Sequence, residues 1–210
     1  MLVRLLPALV AVDVGHYHAE PGVISASGIA EFEFNLQLAR EVKQDLERLE
    51  FKVRMIGDKG NMVFLNHRTR AAAGAELLVS IHHDSMRESV IATKRDALAG
   101  FSLFVSRRNP RLERSLACAS AIGSEMRAAG FKPSRYHADP VIGENRPFAD
   151  EVNGVHYYDN LGVAKTAKMA ALLVEAGVIA NRAEEKRMLD PQVRARVARA
   201  VAQGVAACLR

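Results

Sequence analysis

The sequence predicts an α/β fold, a mostly parallel twisted sheet of about five to six strands with helices on both faces. Two observations carry this reading. Short continuous apolar runs, of the kind that form buried strands, recur along the chain, and segments with helical spacing of apolar residues separate them. No linker-like stretch divides the 210 residues, and no repeat or low-complexity tract interrupts them. Residues 1–210 therefore read as a single catalytic-sized domain, long enough to bury a substantial core.

The first run, Ala8–Val14, reads as the first core strand. A helix is expected over 31–49, with Asn35, Ala39, Val42, Leu46 and Leu49 on one face and Glu33, Gln37, Arg40, Gln44 and Glu47 opposite. Phe51–Ile56 and Leu77–Ile81 read as strands on either side of a shorter helix over 64–74. Phe101–Ser106 is the fourth strand, and Pro110 opens the helix over 111–129 with the stripe Leu112, Leu116, Ala119, Ile122 and Met126. The fifth run, Ala170–Val174, is followed by the turn-prone Ala176-Gly177. A last helix over 191–209 starts at Pro191 and repeats Val193, Val197, Val201 and Val205. Two stretches break this alternation. The segment 132–162, rich in Pro, Asn, Asp, Gly and Tyr, is expected to be a long loop walling a substrate groove. Ser85–Gly100 is a second insertion, expected as a lid over the site.

The formal net charge of +5 suits a polyanionic neighbour such as a nucleic acid, an acidic lipid surface or an anionic cell-wall polymer. The excess is diffuse, its densest points being Arg68/Arg70 and Arg107/Arg108, and Trp is absent, which argues against nucleic acid. No apolar stretch is long enough to span a bilayer. The opening Met1–Pro7 has a faint signal-peptide character, but its apolar run feeds straight into the first core strand. The expectation is a longer leader upstream or another route of export. Cys208 is in register with Val201 and Val205 and is expected to pack as a small apolar group, with Cys118 nearer the flank of its helix. A disulfide between them is left open.

Four residues stand where an α/β sheet gathers chemistry, beyond the carboxyl ends of its strands or at a helix start. His16 follows the first strand, Glu31 opens a helix, His82 closes Leu77–Ile81 and Glu175 closes Ala170–Val174. Two imidazoles and one carboxylate are a common catalytic zinc set, and a further carboxylate can serve as general base. Each has a plainer reading: a loop histidine for His16, a helix-start carboxylate for Glu31, a buried glutamate paired with Arg or Lys for Glu175. Phase separates Glu31 from Glu33, because residues two apart on a helix point about 200° apart. Glu31 shares the inward face of Asn35, Ala39 and Val42, and Glu33 the solvated one. Strand alternation lets only one of His82 and His83 reach the site, and His82 is favoured. His83 is then supporting or structural, and Asp84 is placed to orient an imidazole. His18, His67, His137 and His156 carry no pattern above that of surface or loop residues, with His156 the best of them.

These strings resemble the zinc-dependent N-acetylmuramoyl-L-alanine amidases of the Amidase_3 type. The matching segments are Asp13-Val14-Gly15-His16-Tyr17, Glu31-Phe32-Glu33-Phe34-Asn35-Leu36, Leu65-Asn66-His67-Arg68, Ser80-Ile81-His82-His83-Asp84 and Glu175-Ala176-Gly177-Val178-Ile179-Ala180-Asn181. Their order and spacing agree from residue 8 to the end of the chain. Val14, Tyr17, Asp84, Val178 and Ala170 depart from the family's usual residues, which marks a divergent branch.

The resemblance implies a phosphorylase/hydrolase-like fold, with His16, Glu31 and His82 as Zn2+ ligands and Glu175 as the catalytic glutamate. It implies hydrolysis of the amide between N-acetylmuramic acid and L-alanine in peptidoglycan, in the periplasm or another extracytoplasmic space. A regulatory protein partner acting through Ser85–Gly100 is a further expectation. Two other readings stand beside it: another zinc amidohydrolase acting on small peptides or N-acyl amino acids, and a non-catalytic cell-wall binding module.

Overall fold

The computed structural model describes residues 7–84, 90 and 98–210. The expected lid, Ser85–Gly100, falls almost wholly outside the described residues. In chain order the elements are β1 (Leu9–Val14), α1 (Glu31–Arg48), β2 (Lys52–Ile56), α2 (Leu65–Ala71), β3 (Leu77–Asp84) and β4 (Ser102–Val105). There follow α3 (Leu112–Ala128), β5 (Phe148–Asp150), β6 (Val155–Tyr157), α4 (Gly162–Thr166), β7 (Ala170–Val178), α5 (Arg182–Leu189) and α6 (Pro191–Leu209).

The strands form one seven-stranded sheet in the order β2-β1-β3-β7-β4-β6-β5. Pairings β1–β2, β1–β3, β3–β7 and β4–β6 are parallel, whereas β4–β7 and β5–β6 are antiparallel. The two strands beyond the five apolar runs, β5 and β6, lie inside the segment 132–162, which is thus partly sheet edge rather than all loop. The short helix also ends earlier than expected, at Ala71, with Gly74 turning the chain at φ +84.

The two faces of the sheet are unequal. Val10, Val12, Val14, Leu77, Val79, Ile81, Leu172 and Val174 point into a large apolar core with α1, α3 and α6. The alternate residues Ala11, Leu78 and Ala171 pack into a smaller cluster with α2 and α4. Strand residues two further on continue that second face as Asp13, Ser80 and Leu173, then His82 and Glu175. Polar chemistry therefore collects on the less covered face, at the carboxyl ends of the strands.

Cys118 and Cys208 form a disulfide joining α3 to α6. The two helices press their small residues together, Gly204 lying against the backbone of Ile122, and this close packing brings the thiols within bonding reach. Cys118 is fully buried, not on a flank.

Candidate active site

His16 sits in the turn after β1 with φ +68, a left-handed backbone uncommon outside glycine. Arg68 of α2 holds that turn. Its guanidinium donates to the carbonyls of Val14, His16 and Met62 and to Asp13 Oδ1, the last at 2.7 Å. Asp13 Oδ2 accepts from Ser80 Oγ at 2.7 Å, so β1, β3 and α2 are tied at one buried point.

Glu31 begins α1 and reaches over the rim of the sheet from the large-core side. Its Oε2 lies 3.0 Å from His16 Nε2 and its Oε1 lies 3.1 Å from His82 Nδ1. Oε1 also accepts from Asn35 Nδ2 at 3.0 Å and from the His83 backbone N–H at 3.2 Å, and Oε2 accepts from the Val23 N–H at 3.2 Å. Burial alone would raise this carboxyl's pKa, but the hydrogen bonds to His16 and His82 outweigh it and hold Glu31 below the ordinary carboxylate range. Glu33, as its phase requires, is exposed.

His82 lies within β3, since that strand runs on to Asp84 instead of stopping at Ile81. His83 faces the other way and is enclosed, donating from Nδ1 to Asn35 Oδ1 at 2.8 Å. Burial lowers its pKa to about 4, so it is a neutral strut that orients Asn35, which in turn donates to Glu31. Glycines make the space: a Cβ on Gly15 would come within 2.3 Å of the His82 ring, and one on Gly22 within 2.3 Å of Glu31 Oε2.

One donor atom from each of His16, Glu31 and His82 can be chosen so that all lie within 4.8 Å of one another, a group that could hold a metal ion. Two imidazole nitrogens and a carboxylate oxygen suit a divalent transition cation. Each imidazole lies 3.0–3.1 Å from one Glu31 oxygen, close to the spacing of about 3 Å between neighbouring donors on one such ion.

Glu175 lies in β7, directly in register with His82 on one side and Ser102 on the other. It too falls inside its strand, which extends to Val178. Its Oε2 is fully covered and has no hydrogen-bond partner among the described residues. Burial first, then repulsion from Asp84 and Glu31, raises its pKa well above the usual value. Arg146 acts in the opposite direction.

Beyond Glu175 stands a polar network centred on Asp84, whose partners in 136–144 carry no mark in the sequence pattern. Asp84 Oδ2 accepts from Tyr136 Oη and from His137 Nε2, the latter at 2.7 Å, and His137 Nδ1 faces Glu144 Oε2 at 3.2 Å. Asp84 does orient an imidazole, but it is that of His137. His137 and His156 are both enclosed, at 2% and 0% exposure, and neither is a surface or loop histidine. Burial would lower the His137 pKa, yet Asp84 and Glu144 raise it overall. His156 has no such carboxylate, and burial takes it down to about 4.

These two histidines predict opposite pH dependences of stability. The His137 contribution is fully present below about pH 6.5, the unfolded value, and fades as pH rises through its raised folded pKa. For His156 the unfolded chain takes up a proton first, so stability is lost as pH falls from about 6.5 to 4, by at most ~3 kcal/mol. Melting temperatures measured from pH 7 to 4.5 should decline for the parent protein and decline less for His156→Leu. Equal slopes would show that His156 does not titrate as its burial requires.

A cavity of about 220 Å³ opens beside His16 and His82, walled by Val63, Leu65, Val163 and the buried Arg68. It and the Asp84 network flank the His82–Glu175 pair on opposite sides.

A family model described as N-acetylmuramoyl-L-alanine amidase, Amidase_3, matches residues 10–207. Among curated proteins the chain is similar to the N-acetylmuramoyl-L-alanine amidase AmiC of Neisseria meningitidis serogroup B, at 27% identity over 216 residues. That match takes in 94% of this chain but 51% of the Neisseria protein, so the chain spans about half the length of that relative. Solved structures share the fold. The catalytic domain of CwlV, an amidase from Bacillus (Paenibacillus) polymyxa var. colistinus, superposes with a TM-score of 0.74 at 24% identity, covering 95% of this chain and 97% of that one. Ami1 from Mycobacterium smegmatis does so with a TM-score of 0.79 at 20% identity, covering 97% and 98%. The family model thus takes in nearly the whole sequence, and the chain belongs to the Amidase_3 family of N-acetylmuramoyl-L-alanine amidases.

Proposed function

We propose that this chain is a zinc-dependent hydrolase that cleaves the amide between N-acetylmuramic acid and L-alanine in peptidoglycan. The observation that carries the reading is the meeting of His16, Glu31 and His82 at one point, with Glu175 in register beside His82. These three residues would hold the ion. When bound, zinc supplies Lewis acidity that polarises an amide carbonyl and acidifies water.

The chain's own residues do the rest. Asn35, His83 and the Val23 N–H fix the Glu31 carboxylate, and Arg68 fixes the His16 turn. Glu175 takes the proton of the attacking water and later delivers it to the leaving alanine nitrogen. Its raised pKa makes it a stronger base than a solvated carboxylate, and its position in β7 keeps it from wandering. An extracytoplasmic location suits both the substrate and the disulfide, since such bonds persist in oxidising compartments.

Purified protein incubated with a defined muropeptide, with and without chelator, should release the intact peptide bearing a free alanine amine, detected by mass. Chelation should stop release and zinc should restore it. Cleavage of N-acyl amino acids alone would favour the broader amidohydrolase reading. Retention on sacculi that is indifferent to chelator, without any cleavage, would favour a binding module.

Gly15→Ala tests the ligand geometry separately. The added methyl must displace the His82 ring. Zinc affinity, measured by competition with a chromophoric chelator, should fall on the order of 10- to 100-fold. Unchanged affinity would mean His82 does not ligate from this rotamer.

A further inference from the structure

Arg146 is built into the same face of the sheet as Glu175. Ser102 pairs with Glu175 across the β4–β7 ladder, so Phe104, two residues on, projects from that face as well. The Arg146 guanidinium lies over the Phe104 ring at 5.1 Å and over the Tyr158 ring at 3.7 Å. The two rings stand edge to face, at 74° to one another, and together confine the cation between β4 and the Tyr158 turn. Glu144 is its ion-pair partner, at 2.9 Å, and takes up one terminal nitrogen. Glu144 is itself clamped by His137 and is partly exposed, whereas Arg146 keeps 18% of its side-chain surface open. The five N–H groups of a guanidinium exceed what one carboxylate can accept.

The opposite flank of the site has another character. The cavity beside His16 and His82 presents Val63, Leu65 and Val163 together with Tyr17 and the Glu20 carboxylate, and Arg68, the cation in its wall, is consumed by Asp13 and three carbonyls. A substrate lying across His82 and Glu175 thus meets apolar side chains and an acidic residue at one end and a cation held by two aromatic rings at the other. On the amidase reading, the part of the substrate that carries carboxylates is the peptide.

We propose that Arg146 is a specificity-determining residue that binds a free carboxylate of the substrate peptide, directing the peptide towards β4 and β6 and the muramoyl side towards the cavity beside His16. The assignment rests on the amidase reading. Its chemical content is a charge-assisted, bidentate contact, which a neutral carboxamide cannot reproduce.

Two muramoyl tripeptides provide the test, both with an amidated C-terminus, in which the second residue is γ-linked glutamate with its α-carboxyl either free or converted to the amide. Zinc-loaded parent protein should show kcat/KM at least about tenfold higher for the free acid, expressed mainly in KM. Arg146→Gln should bring the acid-to-amide ratio towards one, and Arg146→Lys should retain part of it. Binding of the two released peptides to the metal-free protein, followed by calorimetry, should show the same preference without any turnover. A parent enzyme that cuts and binds acid and amide alike would overturn the assignment while leaving the amidase reading intact. So would a preference that survives in Arg146→Gln. Failure to cut either compound would sink the amidase reading, and this proposal with it.

Discussion

Glu175→Gln should lose on the order of 10³-fold in kcat, about 4 kcal/mol of transition-state stabilisation, while zinc content and fold stay unchanged. The structure adds a second half to this expectation. In the parent protein the Oε2 of this half-buried residue is covered and has no partner among the described residues, and Asp84 and Glu31 repel its charge. A carboxyl with its folded pKa raised disfavours the native state at neutral pH, where the unfolded chain holds it ionised. Glutamine has the same shape and no charge, so the variant should melt at or above the temperature of the parent. Function and stability would then pull against each other at this one residue. Turnover, zinc analysis and thermal melts on the same preparation settle it. An active variant ends the general-base assignment, and one melting well below the parent shows that the buried carboxyl was not a liability.

Arg68→Met should be the most destabilising single substitution near the site, by about 3–5 kcal/mol, because it leaves Asp13 charged and enclosed without its partner. Arg68 and Asp13 are 2% and 1% exposed, and the same guanidinium satisfies the carbonyls of Val14, His16 and Met62. The His16 turn, with its positive φ, has this clamp as its support. Adding Asp13→Asn to Arg68→Met should recover part of the loss, since the stranded charge is then gone, and the double variant should fall short of the sum of the two singles. Urea midpoints of the four proteins give the coupling. A cost below about 1 kcal/mol for Arg68→Met would mean that water reaches the cluster and replaces the guanidinium.

What could be read in the sequence followed from local regularities. Parallel strands deliver the residues at their carboxyl ends to one rim, so His16, His82 and Glu175 announced themselves by position. Helical phase was enough to choose Glu31 over Glu33, and strand alternation enough to choose His82 over His83. The error of treating His82 and Glu175 as strand terminators was small, because the strands simply continue past them. The partners of Asp84 were not legible for a different reason. Asp84 is 52 and 53 residues from Tyr136 and His137, and it meets them at the turn Tyr136–Ala138, an element too short to leave a periodic trace. The Leu65-x-x-Arg68 string is visible as a motif, but its service to the His16 turn depends on where α2 docks. The α5 helix was not expected from apolar spacing; it starts at Asn181, whose side chain accepts from the Ala183 and Glu184 N–H groups. The cysteine pairing had no local signal, being decided by how α3 and α6 pack.

That pairing divides the molecule in a way the sheet does not. The bond between Cys118 and Cys208 closes a covalent ring, with a sequence separation of 90, that encloses His137, Arg146 and Glu175. His16, Glu31, Arg68 and His82 all stand outside it on an open length of polypeptide. When the protein unfolds with the bond intact, the ringed half has fewer conformations to gain than the linear half. A protease nick anywhere within the ring leaves the two pieces covalently tethered until reductant is added, whereas a nick between His82 and Cys118 leaves the portion carrying His16, Glu31 and His82 held to the rest by noncovalent contacts alone.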